Sequence, residues 1–174
     1  MIENFKGFVP STVCLACDGC CRFKEADSPW RPNITKEEIT SMGKPDLLST
    51  IYSKKNVEHN GHLKTAPCTK DGHHFCSFFV PATNTCSVYE FRPFECQLYP
   101  FVLTKKNGKA VLVAHHHCPY IKEKRNASEF EEYVSYLKEF FRQKDTIDFI
   151  RRNPSLIGEY KDYQNEFEYL FEVC

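Results

Sequence analysis

Four cysteines within eight residues, Cys14, Cys17, Cys20 and Cys21, constrain this chain more than any other feature. So dense a run of thiols either closes disulfides or gathers around metal. The N-terminal Met-Ile-Glu-Asn-Phe-Lys lacks the basic start and apolar run of a secretory signal. No stretch approaches the roughly 20 apolar residues that span a bilayer. The expectation is a soluble cytoplasmic protein without a transmembrane segment. The cytosol keeps thiols reduced, so ten cysteines in 174 residues point to metal rather than disulfides.

Cys14, Cys17 and Cys20 have Cys-x-x-Cys-x-x-Cys spacing, which can place three thiolates on one iron–sulfur cube while a fourth ligand arrives from elsewhere. Zinc also uses Cys-x-x-Cys, so spacing alone does not name the metal. Side chains of adjacent residues diverge, so Cys20 and Cys21 serve two sites, or one ligates while the other packs. A second group, Cys76, Cys86 and Cys96, is evenly spaced, and Cys118 follows. Together the eight suffice for two four-cysteine sites. Cys68 and Cys174 stand apart as extras. Arg92 lies between Cys86 and Cys96, where it either donates to cluster sulfurs or pairs with Glu90 to hold a turn. His115, His116 and His117 are metal-capable but sit at a strand end that sends one or two into solvent. His59, His62, His73 and His74 fall in a polar stretch suited to solvent or a partner.

The remaining elements follow from local signals. Thr35 with Glu38 reads as a capping box, so a helix starts at Lys36 and ends near Gly43. Pro45-Asp46 opens a second helix with Leu47, Leu48, Ile51 and Tyr52 on one face. Asp18-Gly19 is a turn whose glycine can take positive φ with its N–H aimed at a sulfur. Phe75–Val80 and Thr85–Tyr89 read as strands around a turn at 81–84, and Glu90–Cys96 as one helical turn. Asn107-Gly108 between two apolar runs signals a hairpin. Ser128 caps a helix with a 3.6-residue stripe of Phe130, Tyr133, Val134, Leu137, Phe140 and Phe141. Ile147, Phe149 and Ile150 suggest another helix, and Tyr160, Tyr163, Phe167, Leu170 and Phe171 a last one. The expected fold is one α+β domain over 1–174. It has an irregular cysteine-rich metal-binding centre with short antiparallel hairpins, packed by helices. Its cysteine region covers 11–120 and a helical C-terminal extension covers 128–174.

Two segments carry a family resemblance. One is Cys14-Leu-Ala-Cys17-Asp-Gly-Cys20-Cys21. The other is Cys86-Ser-Val-Tyr89-Glu90-Phe-Arg92-Pro93-Phe-Glu-Cys96-Gln-Leu-Tyr-Pro100. Together they resemble the YkgJ-type cysteine-cluster proteins, described as zinc- or iron-chelating. Asp18 replaces the usual glycine and Gln97 the usual arginine. The resemblance implies metal binding. Some members are longer flagellin lysine N-methylases, but this sequence shows no glycine-rich nucleotide loop and no S-adenosylmethionine fingerprint. Nor does it show the Cys-x3-Cys-x2-Cys motif of radical chemistry.

The 23 basic and 23 acidic residues cancel, which argues against a broad nucleic-acid footprint. No catalytic triad or carboxylate pair is recognisable. The sequence therefore favours a [4Fe-4S] protein acting as a redox- or oxygen-responsive accessory to a larger, anaerobic, methyl-transferring enzyme complex. The alternatives are a lysine N-methylase-like or other protein-modifying enzyme, and a structural zinc adaptor.

Overall fold

The computed structural model describes residues 5–41, 45–68 and 71–173. Gly43, the expected helix end, and Cys174 lie outside them. The chain is α+β, as its sequence implies. Its contacts group into two compact units, Pro10–Gln97 and Met1–Val9 with Leu98–Cys174. This grouping does not follow the change of character at residues 120–128, because the Asn107-Gly108 hairpin joins the later helices.

The first unit is built from short pieces. Helix α1 (Ser11–Cys14) and a 3-10 turn (Gly19–Cys21) carry the first four cysteines. Strand β1 (Arg22–Phe23) follows, then α2 (Lys36–Ser41) and α3 (Pro45–Ile51). Strands β2 (Thr65–Pro67) and β3 (His74–Cys76) complete an antiparallel sheet of order β1-β3-β2. The polar stretch 55–74, read from the sequence as a loop, thus contributes β2 and the first residue of β3. A second hairpin pairs β4 (Phe79–Val80) with β5 (Thr85–Cys86), its turn taken by Asn84 at φ 54°. A 3-10 turn (Tyr89–Phe91) and α4 (Phe94–Leu98) follow. Phe23, Ile34, Leu48, Tyr52, Phe75 and Phe78 form the core, with Cys76 buried among them and Cys21 and Cys86 packed against it. Leu47, expected on the buried face of α3, is exposed because Leu48 and Tyr52, one turn apart, take that face.

The capping box is present with both of its bonds. Thr35 N–H donates to Glu38 Oε2 (2.7 Å), and Glu38 N–H donates to Thr35 Oγ1 (3.1 Å). Glu38 does more than cap. Its other oxygen accepts the Phe94 N–H (2.6 Å) at the start of α4. Tyr52 Oη donates to Phe91 O (2.7 Å), and Glu95 Oε2 accepts the Asn33 N–H (2.7 Å). Residues 33–52 therefore hold the segment that ends in Cys96.

The second unit centres on β6 (Phe101–Lys106) and β7 (Lys109–His115). Asn107 (φ 52°) and Gly108 (φ 79°) make the tight turn that their sequence signals. Helices α5 (Pro119–Lys124), α6 (Ser128–Arg142) and α7 (Lys144–Arg152) follow. Helix α6 buries Phe130, Tyr133, Leu137, Phe140 and Phe141, the expected stripe; Ser128 is its first residue, preceded by Ala127 at the cap. Phe8 packs edge-on against Phe101 and Phe130, and Phe101 stacks on Phe130. The expected last helix is instead β8 (Phe167–Glu172), paired with β7 through a bulge opposite Leu112/Val113. The aromatic spacing at 160–171 matches a helix, but a two-stranded ribbon is marginal alone and its open edge recruits this β-prone run as a third strand.

His115, at the end of β7, is buried; its Nε2 lies 2.9 Å from Glu166 Oε2 and its Nδ1 3.3 Å from Tyr99 Oη. Burial lowers its pKa below the ordinary 6.5, against the raising effect of Glu166. The unfolded histidine then takes up its proton first, so the stability present above pH 6.5 is lost as pH falls toward the lower folded value. Urea midpoints measured from about pH 8 to about pH 5 should drop on acidification, and His115→Gln should flatten that slope. Glu38→Ala should cost on the order of 2–4 kcal/mol in the same assay, because it strands two buried N–H donors.

Candidate metal centre

In the first unit, local backbone geometry aims each of several thiols. Gly19 N–H donates to Cys17 Sγ (3.4 Å), without the positive φ that the Asp18-Gly19 pair permits. A Cβ at Gly19 would meet that sulfur at 3.4 Å, so glycine lets the turn close tightly around it. The same residue-to-second-neighbour bond recurs twice. Phe78 N–H, joined by Phe79 N–H, points at the Cys76 sulfur, and Val88 N–H points at the Cys86 sulfur. The expected strand Phe75–Val80 is divided after Cys76 into β3 and β4. Amides aimed at sulfur favour the thiolate, the form that binds metal.

Cys20 is the hub. The charges of Cys14, Cys21, Cys76, Cys86 and Cys96 are all felt against that of Cys20. Its own pKa is lowered, first by a hydrogen bond from Cys21. The partner Cys21 is pushed up by the same bond, then by burial and by the charges of Cys20, Cys96 and Cys76. Burial first, then neighbouring thiols, pushes Cys14 and Cys76 up to about 11 and Cys96 well above its usual value. Cys86 is raised mainly by burial. Cys76 is buried, Cys14, Cys21, Cys86 and Cys96 are half-buried and Cys20 is exposed; thiolates gathered in one neighbourhood repel one another, and a bound cation removes that cost. Among the described residues, no group of three or more His, Cys, Asp or Glu side chains is arranged so that it could hold a metal ion.

Arg92 answers the same field. Its guanidinium lies 3.8 Å from the centroid of the Tyr89 ring and acts on the charges of Cys14, Cys20 and Cys86. Its Nε and Nη1 are buried and have no hydrogen-bond partner. Ser77 Oγ, beside Cys76, is in the same condition. Buried donors without acceptors are rare. A metal–thiolate group carries net negative charge, so a centre bound by these sulfurs would supply the acceptor Arg92 lacks. The donor set therefore fits zinc or an iron–sulfur cluster on its own chemistry.

The eight proposed ligands divide. Cys14, Cys21, Cys76, Cys86 and Cys96 are each influenced by Cys20, and Cys14 also by Cys17. Cys118 falls in the second unit, buried, at the N-cap of α5. Cys68, set aside as an extra, hydrogen-bonds Asp71. His115 and His116 each face a carboxylate, Glu166 and Glu168 (2.9 and 3.1 Å), and His117 is exposed. The two departures from the family pattern also find uses. Asp18 holds Arg22 by its Nε (2.9 Å), and Gln97 Nε2 donates to Arg92 O (2.9 Å), closing the turn that carries Arg92. Sequence reading missed how Glu38, Tyr52 and Glu95 clamp the Phe91–Cys96 segment. Those contacts span 39 to 62 residues and leave no local signal.

A turn that aims its amide at sulfur, a shared thiol neighbourhood and two buried Arg92 nitrogens without a hydrogen-bond partner define a thiol-rich metal-binding protein. Residues 13–133 match the CxxCxxCC family, described as a “putative zinc- or iron-chelating domain”, and the chain belongs to that family. The match takes in all eight cysteines and runs into α6, beyond the 11–120 stretch of the sequence resemblance. No curated protein and no solved structure matches the chain.

Replacing Cys86 or Cys96 with Ser should lower metal content as much as replacing Cys20, read by elemental analysis of purified protein. Cys68→Ser should leave it unchanged. Full loading in the Cys86 and Cys96 variants would mean that the N-terminal run works alone.

Proposed function

We propose that the thiols of the Pro10–Gln97 unit hold a [4Fe-4S] cluster, and that the protein is a cytoplasmic, redox- or oxygen-responsive accessory of a larger enzyme complex. The observation that carries this reading is the group of thiols around Cys20 together with the two buried Arg92 nitrogens that have no hydrogen-bond partner. The Cys-x-x-Cys-x-x-Cys run suits a cube that needs three ligands from one short loop. The aromatic core beside Cys76 supplies a dry surrounding that tunes potential and limits solvent access. A cluster supplies one-electron exchange; Arg92 stabilises its negative charge, and the capped α2 helix holds the Cys96 segment against it. No helix among the described residues is long and apolar enough to cross a membrane. The partner is a larger anaerobic complex, with methyl transfer as its suggested chemistry through the longer family members.

Metal and acid-labile sulfide analysis on anaerobically prepared protein, with visible and paramagnetic spectra, tests this directly. The expected result is iron and sulfide in equal amounts, with a visible band that bleaches in air. A colourless protein holding stoichiometric zinc in both atmospheres would replace the redox role with that of a structural zinc adaptor. Measurable S-adenosylmethionine binding by calorimetry would instead move the protein to the modifying enzymes.

A further inference from the structure

One more buried polar group beside the thiols lacks a partner: Nδ1 of His74. His74 opens β3 and Cys76 closes it. Residues two apart on a strand stand on the same face of the sheet. The ladder agrees. Phe23 on one side and Pro67 on the other pair with His74, and Thr65 pairs with Cys76. His74 therefore shares its sheet face with Cys76. Phe75 takes the opposite face, where the Arg22 guanidinium lies 5.1 Å from its ring centroid. The neighbouring His73 is engaged elsewhere, with Nδ1 3.3 Å from an Asp71 carboxylate oxygen.

A buried imidazole nitrogen needs a donor, an acceptor or a metal. Imidazole and thiolate together suit both zinc and iron. We propose that His74 is an imidazole ligand of the metal centre, contributing Nδ1 beside the Cys76 thiolate. The inference rests on the metal-binding reading but not on which metal is bound. Exchanging one thiolate for a neutral imidazole removes a negative charge from the centre. On an iron–sulfur cluster this raises the reduction potential. On zinc it gives a Cys3His site.

The test is X-ray absorption at the edge of the metal found in the native protein, joined for an iron centre by pulsed paramagnetic resonance on protein labelled with nitrogen-15 histidine. The expected result is one nitrogen ligand in the wild type. It should persist in His73→Gln and vanish in His74→Cys, which offers a thiolate at the same place and keeps the metal. His74→Gln should weaken metal binding by about 10-fold or more while circular dichroism stays unchanged. Sulfur-only coordination in the wild type overturns the inference, as does a nitrogen signal that survives in His74→Cys. A wild-type protein that holds no metal fails the metal-binding reading itself, which is a separate result.

Discussion

Thiolates need donors and cations, and this molecule places both where its sulfurs gather. Three turns aim backbone amides at Cys17, Cys76 and Cys86. Arg92 brings a guanidinium to the same neighbourhood and leaves two of its nitrogens without a partner. Burial raises the pKa of most of these thiols, and their mutual repulsion adds to it. A crowd of sulfurs is costly as bare thiolates and underuses its amides as thiols. A metal resolves both conditions, because it deprotonates its ligands and screens them from one another.

The rest of the Pro10–Gln97 unit serves that arrangement. Its helices are short and its sheets narrow, so regular structure contributes little stability alone. Side chains do the joining instead. Glu38 caps α2 with one oxygen and receives Phe94 N–H with the other. Tyr52 and Glu95 add bonds on either side of that contact. The ligand segment is thus held by groups from a distant stretch. The unit formed by Met1–Val9 and Leu98–Cys174 is built differently, on a regular hairpin, a third strand and an amphipathic helix with a continuous aromatic stripe.

Much of this was legible because the signals are local. The Thr35–Glu38 box, the Asn107-Gly108 turn and the α6 stripe each act within a few residues, and each appears where its chemistry requires. The signals failed where a distant partner decided the outcome. Residues 160–171 have helical aromatic spacing, yet the open edge of β7 draws Phe167–Glu172 into a strand. Phe75–Val80 has the composition of a continuous strand, yet Phe79–Val80 leaves the first sheet to pair with Thr85–Cys86. His74 reads as part of a polar loop until β3 starts one residue earlier than Phe75 and puts it in step with Cys76.

By itself the sequence carried the chemical class: the Cys14–Cys21 run and the Cys86–Pro100 segment together bear the pattern of a zinc- or iron-chelating family. It also determined the caps and turns, whose geometry depends on neighbours in the chain. Only the tertiary structure decided which sulfurs share a neighbourhood, and that Arg92 acts on them while two of its nitrogens stay without a hydrogen-bond partner. Those facts depend on contacts between segments about sixty residues apart, and the direction in which a side chain points is set by strand pairing that no local pattern encodes.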